Sequence, residues 1–203
     1  AGTPTTGGYS APAGKTGNFY TGSYITALDV ASNRPWGNRA VIDGGVANDY
    51  IYFQRGGNPD TGYSGMSFTS FLKADFLNGG STMTLDLGSG SSLSMNINAS
   101  LGSEFRFAVL DDGQWYVGET SYASNGLKVL DGLSLVEESW GAWNPTGGAN
   151  SRLGALPEDY TVSTVTFSDI AGFGVVVSYS AAVNGSTNSG LSEFHVTAIP
   201  EPT

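Results

Sequence analysis

The chain has no cysteine among its 203 residues. Disulfides, thiolate metal sites and cysteine nucleophiles are thereby excluded. It has one histidine, His195, so a zinc centre of three imidazoles is excluded as well. It carries only eight Lys and Arg against eighteen Asp and Glu, a net charge of −10. That balance argues against the basic stripe that DNA or RNA binding requires, and against an anionic membrane surface. No run of about 18 apolar residues occurs, so no helical membrane span is expected. Leu, Ala, Glu and Lys are nowhere clustered at helical spacing.

What is present is glycine (30 residues), serine, threonine and aromatic side chains, in a chain that is 39% hydrophobic and 13% charged. This composition fits an all-β domain working outside the cell, where acidity favours solubility. The length suits one sandwich core. Cysteine-free export is more usual for bacterial than for eukaryotic domains. The chain is therefore read as one domain over residues 1–198, followed by a short tail, with "AGTPTTGG" as the mature end left by signal removal.

Alternation of apolar and polar residues marks the strands. Residues 1–18 show little periodicity and read as an extended arm. "DYIYFQR" and "MSFTSFLKADF" are strand candidates. "STMTLDL" sets Met83, Leu85 and Leu87 on one face, and "SLSMNIN" sets Leu93, Met95 and Ile97 on one face, with "GSGS" as a hairpin loop between them. "EFRFAVL" puts Phe105, Phe107 and Val109 inward. "LSLVEES" and "YTVSTVTF" are further strands, the second with a bulge between Val162 and Val165. "FGVVVSYS" is apolar on both faces and reads as a central strand. "SEFHVTA" is the last, with Phe194, Val196 and Ala198 inward. Eight to eleven such strands predict an all-β, two-sheet antiparallel β-sandwich, a jelly roll.

The turn before "QWYVGE" leaves two registers open. A "DDG" turn pairs Val109 with Trp115 and buries the indole. A two-residue "DG" turn of type I′ pairs Leu110 with Trp115, which makes Tyr116 core and frees Trp115.

The chain ends "TAIPEPT". Two prolines in its last four residues oppose continuation of a ladder or helix. Pro200, Glu201 and Pro202 resemble the opening of a PEP-CTERM sorting signal, found on exported proteins of exopolysaccharide-producing Gram-negative bacteria. In that family a hydrophobic segment and a basic cluster follow the motif; neither stands in this sequence. The body, with "FRFAVLDDGQWYVGE" and "GLSEFHV", resembles the jelly-roll or concanavalin-like sandwiches found ahead of such signals, which are similar to carbohydrate-binding modules. The resemblance implies a secreted or cell-surface protein, with residues 199–203 as the start of the signal.

Catalytic patterns are poorly represented. His195 lies two residues from Glu193, on one face of a strand, as a surface pair or a general base. No G-x-S-x-G elbow precedes a helix. Glu137 and Glu138 are adjacent, so on a strand they diverge and make poor glycosidase partners. The E-x-D-x-x-E pattern of laminarinase-like hydrolases is absent, as is the Gln-x-His and Tyr-x-Lys pattern of jelly-roll alginate lyases. Tyr122 and Lys128 are only sequence neighbours.

A sugar site needs aromatic faces for pyranose C–H groups, with amide, carboxylate or guanidinium groups for hydroxyls. Two loops combine them: "SNRPWGNR", with Arg34, Trp36 and Arg39, and "SWGAWNPTGGANSR", with Trp140, Trp143, Asn144 and Arg152. Trp115 and Arg55 complete the set. Arginine forks match carboxylate or sulfate planes, so an acidic or sulfated polysaccharide is the expected partner. Trp-Gly and Trp-Asn-Pro loops also cap sandwich cores, which would bury the indoles. Structural Ca2+ is a possible cofactor, with Asp43, Asp49 and Asp60 as ligands beside Asn48, Asp111 and Asp112; turn-forming Asp and Asn is the competing reading. The expectation is a monomeric, non-catalytic polysaccharide-binding domain. The alternatives are a structural matrix protein without a glycan site and a sandwich hydrolase or lyase.

Overall fold

The structure, a computed structural model, describes residues 19–25, 37–41, 50–55, 65–72, 85–86, 90–145, 155–160, 167, 169–179, 187–197 and 199–200. Residues 19–25, 37–41, 50–55, 65, 71–72, 85–86, 187–188 and 199–200 are described by backbone and pairing. The expected arm over 1–18, the bulge between Val162 and Val165, and the calcium candidates Asp43, Asn48, Asp49 and Asp60 lie outside the described residues.

The described strands are β1 (Phe19–Ile25), β2 (Gly37–Val41), β3 (Tyr50–Arg55), β4 (Gly65–Leu72), β5 (Leu85–Asp86), β6 (Ser92–Asn98), β7 (Ser103–Asp111), β8 (Gln114–Gly118), β9 (Gly126–Asp131), β10 (Trp140–Trp143), β11 (Ile170–Tyr179), β12 (Thr187–Thr197) and β13 (Ile199–Pro200). A single-turn helix, α1 (Gly132–Val136), follows β9. One sheet runs β1-β4-β11-β7-β8-β10 and the other β2-β3-β12-β6-β9, with every pair antiparallel. In chain order, β3 lies beside β12, β4 beside β11, β6 beside β12 and β7 beside β11. Strands from the first half of the chain thus lie beside the late strands β11 and β12, which is the wrapping of a jelly roll. The all-β, two-sheet antiparallel sandwich is therefore the fold.

Period-two alternation builds the core. Leu93, Met95, Ile97, Leu130 and Leu191 of the five-stranded sheet meet Phe105, Phe107, Val109, Phe173, Val175 and Val177 of the other. Burial of these side chains, at roughly 1.5–3 kcal/mol each, is what ties the sheets together. β11 is central and buried on both faces: Val176 turns away from the sandwich core into a second cluster with Met66, Phe68, Ala108, Val117 and Trp143. A register shift between Ile170 and Gly172 marks a bulge at its start.

Three expectations are corrected. Residues 133–139, expected as a strand, open with α1 instead. Gly132 adopts a φ of +47°, and the Asp131 N–H donates to Ser134 Oγ at 2.9 Å while that hydroxyl donates to Asp131 O at 2.7 Å. This local exchange coils the chain and turns only Leu135 of α1 into the core. β5 does not form a hairpin with β6; it pairs with β13, while β6 sits between β12 and β9. Finally, paired chain extends past Ala198: Ile199 lies opposite Asp86 and Pro200 opposite Leu85. A two-residue pair with no further neighbour among the described residues tolerates a residue that has no N–H.

Candidate functional site

The outward side of the five-stranded sheet is set by the residues that alternate with the core. On β6, Ser92, Ser94 and Asn96 are half-buried and Asn98 is exposed, between fully buried Leu93, Met95 and Ile97. On β12, Glu193, His195 and Thr197 are exposed between partly buried Phe194 and Val196. The two strands are neighbours, with Glu193 opposite Asn96, His195 opposite Ser94 and Thr197 opposite Ser92. Directly opposed side chains sit about 5 Å apart on one face. The sheet therefore presents amide, hydroxyl, carboxylate and imidazole groups side by side.

A bulge enriches this face. The register of β12 shifts between Leu191 and Glu193, so Ser192 is an extra residue; it is exposed, and its hydroxyl donates to Asn96 O at 3.2 Å. The same sheet continues through β3 and β2. Asn98 lies opposite Gly190, Gly190 opposite Tyr52, and Tyr52 opposite Arg39. Arg39 and Tyr52 thus hold register positions in one row with Asn98. With strands about 4.8 Å apart, the row is about 15 Å long and crosses four strands. His195 Nε2 stands 3.9 Å from Glu193 Oε2, with both side chains more than half exposed. This pair sits on an open surface.

The other sequence-predicted residues scatter. Trp140 and Trp143 are each 2% exposed. Residues three apart on a strand face opposite sides. Trp140 accordingly packs in the sandwich core against Phe167, with ring centroids 5.2 Å apart, and Trp143 lies in the outer cluster of the six-stranded sheet, beside Leu156. The expectation that they form a sugar platform is corrected: their indole faces are taken by core packing. Trp115 follows the two-residue turn. Leu110 lies opposite Trp115 and Val109 opposite Tyr116, and Asp112 and Gly113 have φ of +44° and +76°, as a type I′ turn needs. Tyr116 packs on the sandwich core as that register requires. Trp115 is half-buried against the outer cluster. Asn144 is exposed just after β10. Arg55 lies opposite Thr187. Arg34, Trp36 and Arg152 lie outside the described residues.

The remaining acid–base candidates, and the described calcium candidates Asp111 and Asp112, lie elsewhere in the fold. Glu138 is buried, and its two carboxylate oxygens accept from Thr120 N at 2.7 Å and Thr120 Oγ1 at 2.6 Å. Glu137 is exposed. Tyr122 is pushed above the ordinary tyrosine range by burial, with the nearby Glu138 charge adding to it; a lyase base would need the opposite shift. Lys128 donates to Ser124 Oγ and Asn125 O. Asp111 accepts from the Asp169 N–H at 2.7 Å, and Asp112 is the exposed turn residue. Tyr160 is also raised, chiefly by burial, with Arg106 opposing and Glu119 and Glu104 adding. Among the described residues no helix is long and apolar enough to cross a membrane.

No protein-family model matches the chain, and no curated protein matches it in sequence. Solved structures with a similar outline include the family 11 carbohydrate-binding module of the cellulosomal cellulase Lic26A-Cel5E of Clostridium thermocellum. It aligns over 91% of this chain and 88% of its own length, at 13% identity and a TM-score of 0.40. The family 11 module from Clostridium thermocellum in complex with a beta-1,3-1,4-mixed-linked tetrasaccharide aligns over 87% and 96%, at 16% identity and a TM-score of 0.38. The agarase AgWH50C aligns over 88% of this chain but 25% of its own, at 13% identity and a TM-score of 0.39.

Proposed function

We propose that this protein is a non-catalytic polysaccharide-binding sandwich, exported to the surface or matrix of a Gram-negative bacterium, and that its ligand is an acidic or sulfated glycan. The observation that carries the reading is the outward row of the five-stranded sheet. Asn98 shares it with Tyr52 and Arg39, and Asn96, Ser94, Glu193 and His195 fill the adjoining rows. Amides and hydroxyls exchange hydrogen bonds with sugar hydroxyls. The same row holds a tyrosine and an arginine position, residue types that stack on sugar rings and match carboxylate or sulfate planes. The breadth of the sheet suits a chain of several sugars. Export is supported by Pro200, Glu201 and Pro202, as read from the sequence.

The test is native electrophoresis in gels cast with alginate, a sulfated galactan or a neutral β-glucan. The acidic gels should retard the protein more than the neutral one. Asn96→Ala with Asn98→Ala, and separately Arg39→Ala, should weaken the retardation several-fold. The reading fails if no polysaccharide slows the protein, or if those variants run as the parent does.

A further inference from the structure

The polar face is bounded by an apolar edge. β9 is the last strand of the five-stranded sheet, and its outward residues include Leu127, 59% exposed, and Val129, 42% exposed. These two open aliphatic side chains are not scattered. Leu127 lies opposite Asn96, which lies opposite Glu193; Val129 lies opposite Ser94, which lies opposite His195. Each row therefore sets one aliphatic side chain about 5 Å from one side chain that can donate a hydrogen bond.

We propose that this edge recognises an O-acetyl substituent on the bound polysaccharide. An acetyl ester joins a methyl group, which gains by leaving water, to a carbonyl oxygen that only accepts hydrogen bonds. The rows Leu127–Asn96 and Val129–Ser94 offer the complement of both halves. A 6-deoxy sugar brings a methyl without the carbonyl and uses only half of each row. Two aliphatic residues about 7 Å apart along one strand match small substituents. A stable protein interface needs about 800 Å² per partner. Leu133 and Val136 are exposed on α1, outside these rows. The inference rests on the glycan reading above and specifies the ligand.

The experiment uses one polymer in two states: O-acetylated alginate, and the same preparation deacetylated with dilute alkali. The acetylated gel is expected to retard the protein about three- to fivefold more strongly, the effect of one buried methyl group. Leu127→Thr with Val129→Thr keeps strand propensity and should abolish that difference while leaving the weaker retardation in deacetylated polymer intact. Unchanged thermal unfolding of the double variant would show that the sheet is preserved; a single Val129→Thr variant serves if it is not. Equal retardation by both polymers overturns the inference and leaves the glycan reading standing, as does a preference that survives the threonine changes. Retardation by neither polymer overturns both.

Discussion

Trp143 lies directly across the ladder from Trp115, and the rings of both meet Phe68 edge-on with centroids 4.9 Å apart. This aromatic knot sits on the side of the six-stranded sheet that faces away from the sandwich core. A two-layer sandwich usually leaves that side to solvent. Here it forms a second dry layer, closed by Leu156, and the tryptophans are part of its packing.

Trp143→Ala should accordingly act on stability. Removing a fully buried aromatic side chain costs about 3–5 kcal/mol. Urea unfolding should show that loss as a lower midpoint. Below the transition, retardation by polysaccharide should match the parent. Loss of binding without loss of stability would restore Trp143 as a contact residue.

Gly141→Ala probes the cover of that layer. A Cβ at Gly141 would stand 2.5 Å from Pro157 Cβ and 2.9 Å from Asp159 O. The 155–160 segment therefore crosses β10 at backbone contact, and an added methyl forces it outward. A cost of about 1–3 kcal/mol is expected in thermal or denaturant unfolding. Gly113→Ala is the control, because a Cβ there meets nothing within 4 Å and only the φ of +76° is strained. Its cost should be smaller, about 1–2 kcal/mol.

Much of the frame was legible from alternation. Leu93, Met95 and Ile97, and Phe105, Phe107 and Val109, face the core as their period-two pattern requires. β11 is central, as a strand apolar on both faces must be. Two departures have separate physical causes, strand parity in one and a local backbone exchange in the other. Trp140 and Trp143 looked like platforms because tryptophan stacks on sugars. Their spacing of three within a strand buries one on each side once both sides are covered, and Leu156 of the 155–160 segment helps to cover the second. "LSLVEES" alternates well enough for a strand, but the Asp131–Ser134 exchange and the positive φ of Gly132 act first. The polar face was half visible: Asn96 and Asn98 alternated outward, and Glu193 shared a side with His195. That β6 and β12 are neighbours was not visible, because a jelly roll joins strands nearly a hundred residues apart.

Alkaline pH should weaken the fold through Tyr122 and Tyr160. Burial raises both above the unfolded tyrosine value near 10. A raised acid holds its proton longer in the folded than in the unfolded chain. Its stabilising contribution is complete below the unfolded value and is lost as pH climbs through the folded one. Thermal midpoints should fall above about pH 10, and Tyr122→Phe should flatten that fall. A titration by tyrosinate absorbance should show late-titrating groups that disappear on unfolding. A Tyr122→Phe profile identical to the parent would count against the assignment.

Glu138→Gln separates a structural carboxylate from a catalytic one. Both oxygens of Glu138 already accept hydrogen bonds, from the backbone and hydroxyl of Thr120. The side chain presses on the strand beside it, with Oε1 2.8 Å from where a Cβ on Gly118 would stand. It clamps the chain after β8 to the entry of β10. Glutamine keeps the shape and one acceptor, and the threonine hydroxyl can turn to accept from the new amide. Glu138→Gln should therefore cost about 1 kcal/mol, and Glu138→Ala, which removes a charged acceptor from two hydrogen bonds, about 2–3 kcal/mol. Thr120→Ala combined with Glu138→Ala should cost less than the two single changes added, since each removes the other's partner. A general acid would behave otherwise. Glu138→Gln would then abolish release of reducing ends from a susceptible glycan while leaving the unfolding midpoint almost unmoved, and that result would replace the binding proposal with a hydrolase.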